Sequence, residues 1–291
     1  MNRRRLALTG LAFIAPAILA FLLFWLAPLA LALFYSLTNW RLGSAPSFVG
    51  LGNFVELFGD PLFLKATGAS LQIAVYSMVP SLILAMLLAI ALADPRIRFG
   101  RLWRVLFMIP VVTDWVATGL VWQLIFLPNQ GVLASVAQSL GLTGLVRAAW
   151  TSDSGLAPIA VSVFIIWKTT SLYTIFLFAA IRSVPRDVIE AASIDGANGW
   201  QTFWRIKWPL MRPITVFVVV LSFITTLGLF EPVYMLTGGG PANATRTLPI
   251  FLYENFFSFS RSGYASAAGV LFLAGSLLFA VICSRIMKDE A

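Results

Sequence analysis

Residues 190–209 read EAASIDGANGWQTFWRIKWP, a polar, glycine-punctuated stretch with long apolar runs on both sides. Glycine and asparagine tolerate positive φ, so Asp195-Gly196 and Asn198-Gly199 mark turns. Upstream, Pro185 suits the first turn of a helix, where its missing N–H costs little. Asp187 and Glu190 set negative charge near that helix's positive end, and Val188, Ala191 and Ala192 are expected to share a small-residue face. Downstream, Trp200, Phe203, Trp204 and Trp208 fall at i, i+3, i+4 and i+8, one aromatic stripe on a second helix. Gln201, Thr202 and Arg205 face away from it, and Pro209 is expected to end it. The stripe alone is what an amphipathic connector packing on its own bundle would carry. The first helix is small-faced, acidic and bounded by turns, which suits insertion into a partner's groove.

The surroundings are those of a membrane protein. Of 291 residues, 59% are hydrophobic and 11% charged, against about 25% charged in an ordinary soluble domain. A bilayer core needs about 20 mostly apolar residues per helix. Six stretches qualify, at about 6–37, 71–93, 105–127, 156–181, 214–236 and 265–284. The expected fold is therefore all-α, six transmembrane helices in a single domain over 1–291, with the hairpin at about 183–212 between spans four and five. The first run follows Arg3, Arg4 and Arg5 but is about twice a signal peptide's apolar region; it is read as a retained anchor.

Positive charge sets the orientation. One side carries fourteen basic residues: Arg3, Arg4, Arg5; Arg96, Arg98, Arg101, Arg104; Arg182, Arg186, Arg205, Lys207, Arg212; Arg285, Lys288. The other carries five: Arg41, Lys65, Arg147, Arg246 and Arg261. Both termini and the hairpin are thus expected in the cytoplasm. The net charge of +8 is spread in short clusters between apolar runs, without the solvated basic face that nucleic acid requires. On the other side, Phe54, Leu57 and Phe58 predict a short interfacial helix, and residues 128–155 and 237–263 read as Gly-, Pro-, Asn- and Ser-rich loops.

Several chemistries are excluded. There is no histidine, hence no histidine metal site and no histidine general base. The one cysteine, Cys283, can form no intrachain disulfide. A phosphate-cradling P-loop needs glycine directly before lysine. The four lysines instead follow Leu64, Trp167, Ile206 and Met287. No metal, cofactor or catalytic residue is expected on the chain.

Ionisable residues at membrane depth are costly and commonly functional. Asp114 falls in the third span, Lys168 in the fourth and Glu231 near the outer end of the fifth. Trp115, Gln123, Thr169, Tyr173 and Tyr234 stand nearby in sequence. Aromatics mixed with acids and amides suit sugars, which present apolar ring faces and hydroxyls; all eight are candidates for a solute pathway. A structural ion pair of Lys168 with Asp114 or Glu231 is the competing reading. Ala265, Ala268, Gly269 and Gly275 permit close packing of the last span.

The hairpin's spacing runs EAA at 190–192, three residues, Gly196, nine residues, Ile206, two residues, Pro209. It resembles the EAA loop of permease subunits of binding-protein-dependent ABC importers; Trp208 stands where that family usually has leucine. FVGLGNFVELFGDPLF (48–63), RVLFMIPVV (104–112), GLVWQLIFLPNQGVL (119–133), YMLTGGGPANAT (234–245) and GYASAAG (263–269) are similar to its carbohydrate-uptake branch, in particular to maltose-type and glycerol-3-phosphate-type first permease subunits.

The resemblance implies a multi-pass subunit in a bacterial or archaeal cytoplasmic membrane, paired with a second permease chain. It also implies two cytoplasmic ATPase subunits, which carry the ATP and magnesium, and an extracytoplasmic solute-binding protein. By the same resemblance Glu190, Ala191, Ala192, Asp195, Gly196 and Ala197 form the ATPase-coupling segment. A sugar or oligosaccharide is the expected solute, glycerol-3-phosphate the alternative. An ion-coupled secondary transporter would show internal symmetry and matching broken helices, and a membrane enzyme a constellation of catalytic groups; the sequence displays neither.

Overall fold

The computed structural model describes residues 3–94 and 96–286. Lys288 and the side chains of Arg3, Arg4, Arg5 and Arg101 lie outside the described residues. Among the described residues five helices are long and apolar enough to cross a membrane, and a bent pair makes a sixth. Two residues, Thr38 and Phe48, form an isolated antiparallel bridge. The chain divides into two compact units.

The first unit holds residues up to Phe63 together with Phe251–Ala274. Helix α1 (Arg3–Phe21) passes through a π-turn (Leu22–Leu26) into α2 (Ala27–Ser36). No residue in its membrane-length window is buried. The 38–60 region is not a floating loop. The side-chain amide of Asn53, on α3 (Gly52–Gly59), donates to the carbonyls of Ser36 and Thr38, both at 2.8 Å. Leu57 is fully buried, whereas Phe58 is exposed. The expected short helix thus forms, but Leu57 packs inward. Arg261 pairs with Glu56, and the Tyr264 hydroxyl donates to Asp60 at 2.6 Å.

The second unit holds Leu64–Ile250 and the chain from Gly275. Helix α4 (Pro61–Ala93) begins ten residues before the expected 71. Helices α7 (Val132–Ser139) and α8 (Thr143–Val146) occupy the segment read as a loop. At the centre stands α9 (Ala157–Ser183), the most buried of the spans. Its small and hydroxylated residues let neighbours approach and bond across helices. Thr169 shares a hydrogen bond with Ser81 of α4 at 3.0 Å, and Tyr173 one with Thr225 at 3.1 Å.

The third span is not one straight helix. It breaks into α5 (Gly100–Val112) and α6 (Trp115–Ile125), bent by 100°. Thr113 and Asp114 are extended there, and the Asp114 side chain caps α6 by accepting from Val116 and Ala117 at 2.8 and 3.0 Å. A threonine–aspartate pair offers the backbone an alternative to helical bonding, so the apolar run bends where its polar residues fall.

The fifth span departs from 214–236 at both ends. Helix α11 (Gly199–Thr202) continues through a π-turn (Phe203–Lys207) into α12 (Trp208–Leu227). Pro209 and Pro213 lie inside this continuous helix, so Pro209 does not end it. The Trp208 N–H reaches back to the Phe203 carbonyl. The wider turn shifts the bonding register just before a residue that has no N–H to give. The same arrangement precedes Pro28, where Ala27 reaches back to Leu22. At the other end Gly228 closes α12, and a separate helix α13 (Glu231–Thr237) follows. The 237–263 segment contains α14 (Leu248–Tyr253) and a π-turn (Glu254–Ser258), and leads into α15 (Ser262–Ile286). In the second unit Phe279 of α15 stacks on Phe223 of α12 at 3.6 Å.

Candidate functional site

The hairpin is built as two locally closed pieces. Helix α10 (Arg186–Ile194) starts after Pro185, with Asp187 in its first turn. It stops at Gly196, whose φ of +80° strains any residue bearing a Cβ. The Ala197 N–H donates to the Ala192 carbonyl at 2.9 Å and the Gly196 N–H to that of Ser193 at 3.2 Å, the paired bonds of a Schellman stop. Asn198 then opens α11 with a capping box: its side chain accepts from the Gln201 N–H, and the Gln201 side chain accepts from the Asn198 N–H. Asn198 is therefore a helix cap as well as a turn residue. The Asn-x-x-Gln spacing that signals the box was present.

The faces of α10 differ from expectation. Val188 and Ala191 are exposed, whereas Ala192 is buried and points inward with Ile189. Ile189 packs on a core of Ala85, Ala89, Tyr173, Ile181 and Met211. The free face presents Asp187, Val188, Glu190, Ala191, Ile194 and Asp195, with Ile194 86% exposed. Gly196 is exposed and Ala197 half-buried. The arrangement is an acidic, apolar-tipped knob rooted on its inner side.

The aromatic stripe forms as expected, with Trp204 5.5 Å from both Trp200 and Trp208. It leaves Trp200 exposed, and Thr202, expected to face away, is buried.

The eight pathway candidates sort into two groups. Thr169, Tyr173 and Lys168 lie in the interior of α9. No ion pair joins Lys168 to Asp114 or Glu231 among the described residues, so the ion-pair alternative is not what the structure shows. The Lys168 ammonium donates to the Thr113 carbonyl and sits 4.4 Å above the Trp115 ring, which meets Phe164 edge-on at 5.4 Å. The second group lies on α6 and α13. Asp114, Gln123, Glu231 and Tyr234 are exposed there. The Gln123 side chain donates to the Met235 carbonyl. A Cβ on Gly119 would stand 2.9 Å from the Met235 Cβ, so only glycine permits this approach of α6 to α13. Both acids open helices, Asp114 as cap and Glu231 in the first turn. Among the described residues no group of three or more metal-ligating side chains is present.

Comparison with known proteins gives this geometry its context. Residues 69–288 match the family described as binding-protein-dependent transport system inner membrane component. The chain is 33% identical over 278 residues to the probable ABC transporter permease protein YurN of Bacillus subtilis, covering 95% of this chain and 94% of that protein. It is 34% identical over 283 residues to the diacetylchitobiose uptake system permease protein NgcF of Streptomyces coelicolor, covering 94% and 80%. The fold is similar to that of a bacterial ABC transporter involved in alginate import, with a TM-score of 0.83, 21% identity and coverage of 99% and 96%. By sequence, the chain belongs to the inner-membrane permease components of binding-protein-dependent transport systems.

Proposed function

We propose that this chain forms part of the pathway of an ATP-driven importer for a sugar or oligosaccharide. A second permease chain completes the pathway, a solute-binding protein delivers the solute, and two ATPase subunits supply the energy. The observation that carries the reading is the knob on α10. Its acidic and apolar face is free, its other face is anchored through Ile189 and Ala192, and its C-terminal end is closed by the backbone bonds of Gly196 and Ala197. A part that is stiff, rooted in the spans and free on one side transmits displacement from a separate motor. Glu190 contacts basic groups in the ATPase groove, and the side opposite the hairpin faces the binding protein.

The sugar assignment draws on the diacetylchitobiose relative and on the exposed Asp114, Gln123, Glu231 and Tyr234 that α6 and α13 carry. Lys168, the basic side chain buried within α9, is held by Thr113 and Trp115, which favours a neutral solute over a phosphate.

The test is uptake in a strain carrying Glu190→Lys. The variant is expected in the membrane at normal level, without co-purifying ATPase and without accumulation of labelled oligosaccharide. ATPase retained at the normal ratio would exclude the docking role.

A further inference from the structure

A cleft of about 940 Å³ lies between the end of α4, the end of α9 and the hairpin. Its rim carries Arg96, Arg182, Arg186 and Lys207, against only Asp94 and Glu190. Among the described residues, none of the four cations lies within ion-pairing distance of a carboxylate. Arg182 complements the C-terminus of α9, where positive charge is favoured. Arg186 has no such excuse: it is the first residue of α10, at the positive end of that helix. Four cations from four segments converging on one cavity ask for an anion.

A second cavity of about 310 Å³ shares the same three walls, and it is almost wholly apolar. On α4 the lining passes from Ile83 and Leu87 to Ile90, and on α9 from Leu177 to Ile181. On the hairpin it passes from Trp204 and Trp208 to Phe203 and Lys207. Along α4 and α9 the cavities follow one another at helical spacing, while on the hairpin they take neighbouring faces of the same turn. Together they have the form of an amphiphile: a charged head beside an apolar slot.

We propose that this composite groove binds an anionic phospholipid, its phosphate among Arg96, Arg182, Arg186 and Lys207 and an acyl chain along Leu87, Leu177 and Trp208. Arginine recognises phosphate oxygens with paired N–H donors, and basic pockets between spans select anionic headgroups. The lipid ties the hairpin to α4 and α9. The inference rests on the groove and not on the coupling role of α10, so its failure leaves ATPase docking and uptake as they stand.

The test uses the full chain with its co-expressed partners in detergent. Thermal unfolding is followed after adding dioleoylphosphatidylglycerol, dioleoylphosphatidylcholine or inorganic phosphate. Phosphatidylglycerol is expected to raise Tm by several degrees, with no shift from the other two. In Arg182→Gln/Lys207→Gln the shift should fall by at least half, and Arg182→Lys should keep it. Leu87→Trp fills the apolar slot without touching the charges and should also reduce the shift. Equal shifts from both lipids, or an undiminished phosphatidylglycerol shift in both the glutamine and the tryptophan variants, would overturn the proposal. A full shift from inorganic phosphate would make the occupant a soluble anion and overturn the lipid assignment.

Discussion

The Lys168 ammonium donates to the carbonyl of Thr113, the residue at which the third span leaves α5 and turns by 100° into α6. Thr113 falls at the break, so no intrahelical donor serves its carbonyl. A buried lysine from the central helix does so instead, with the Trp115 ring beneath it. The charge in the fourth span thus holds the kink in the third.

Lys168→Met keeps the apolar stem and removes the donor. The Thr113 carbonyl is then unpaired inside the bundle, at a cost of about 1–3 kcal/mol. Earlier thermal unfolding in detergent is expected, with solute selectivity unchanged. An unaltered melting curve combined with altered selectivity would place Lys168 in the pathway instead.

Asp114→Ala removes the cap of α6 and should cost about 1 kcal/mol, while Asp114→Asn retains an acceptor and most of that stability. Comparing the two separates capping from charge. If both variants unfold alike yet both lose uptake, the carboxylate acts on the solute and not on the helix.

Gly119→Leu forces side-chain atoms into the space held by Met235. Overpacking of this kind costs about 1–3 kcal/mol. The expected result is a lower Tm and a lower yield of folded subunit. Normal stability would mean that α6 and α13 separate freely.

Gly196→Val places a β-branched residue at φ +80°, where an L-residue loses roughly 1–2 kcal/mol. The strain falls on the elbow and not on the spans. The variant should insert normally and bind ATPase weakly, with uptake reduced more than stability. Full uptake would show that the elbow need not be rigid.

Asn198→Ala removes one half of the capping box, at about 0.5–2 kcal/mol. Hydrogen exchange at residues 199–202 should quicken while exchange along α9 is unchanged. Equal rates in the variant and the parent would mean that the Phe203–Lys207 turn alone holds α11.

Much of the fold was legible because a bilayer reads composition. Apolar runs of spanning length, the acidic α10 and the glycine stop at 196 all follow from which groups lipid or a left-handed turn will accept. The hairpin's stops and caps were legible for the same reason, since turn and cap residues act within a few positions of themselves. The side taken by Ala192 was not. Two alanines in succession differ in no property that directs one outward, and only the core around Ile189 and Met211 distinguishes them.

The sequence by itself determined that this chain is helical, lives in lipid, lacks a nucleotide cradle and carries a hairpin of a familiar spacing. Each of these depends on local composition or on groups a few residues apart. The tertiary structure decided where the third span bends, that α12 runs through two prolines, and that Lys168 serves a carbonyl 55 residues away rather than a carboxylate. Those outcomes depend on which backbone groups are left unbonded once helices pack, and that is known only when distant segments have met.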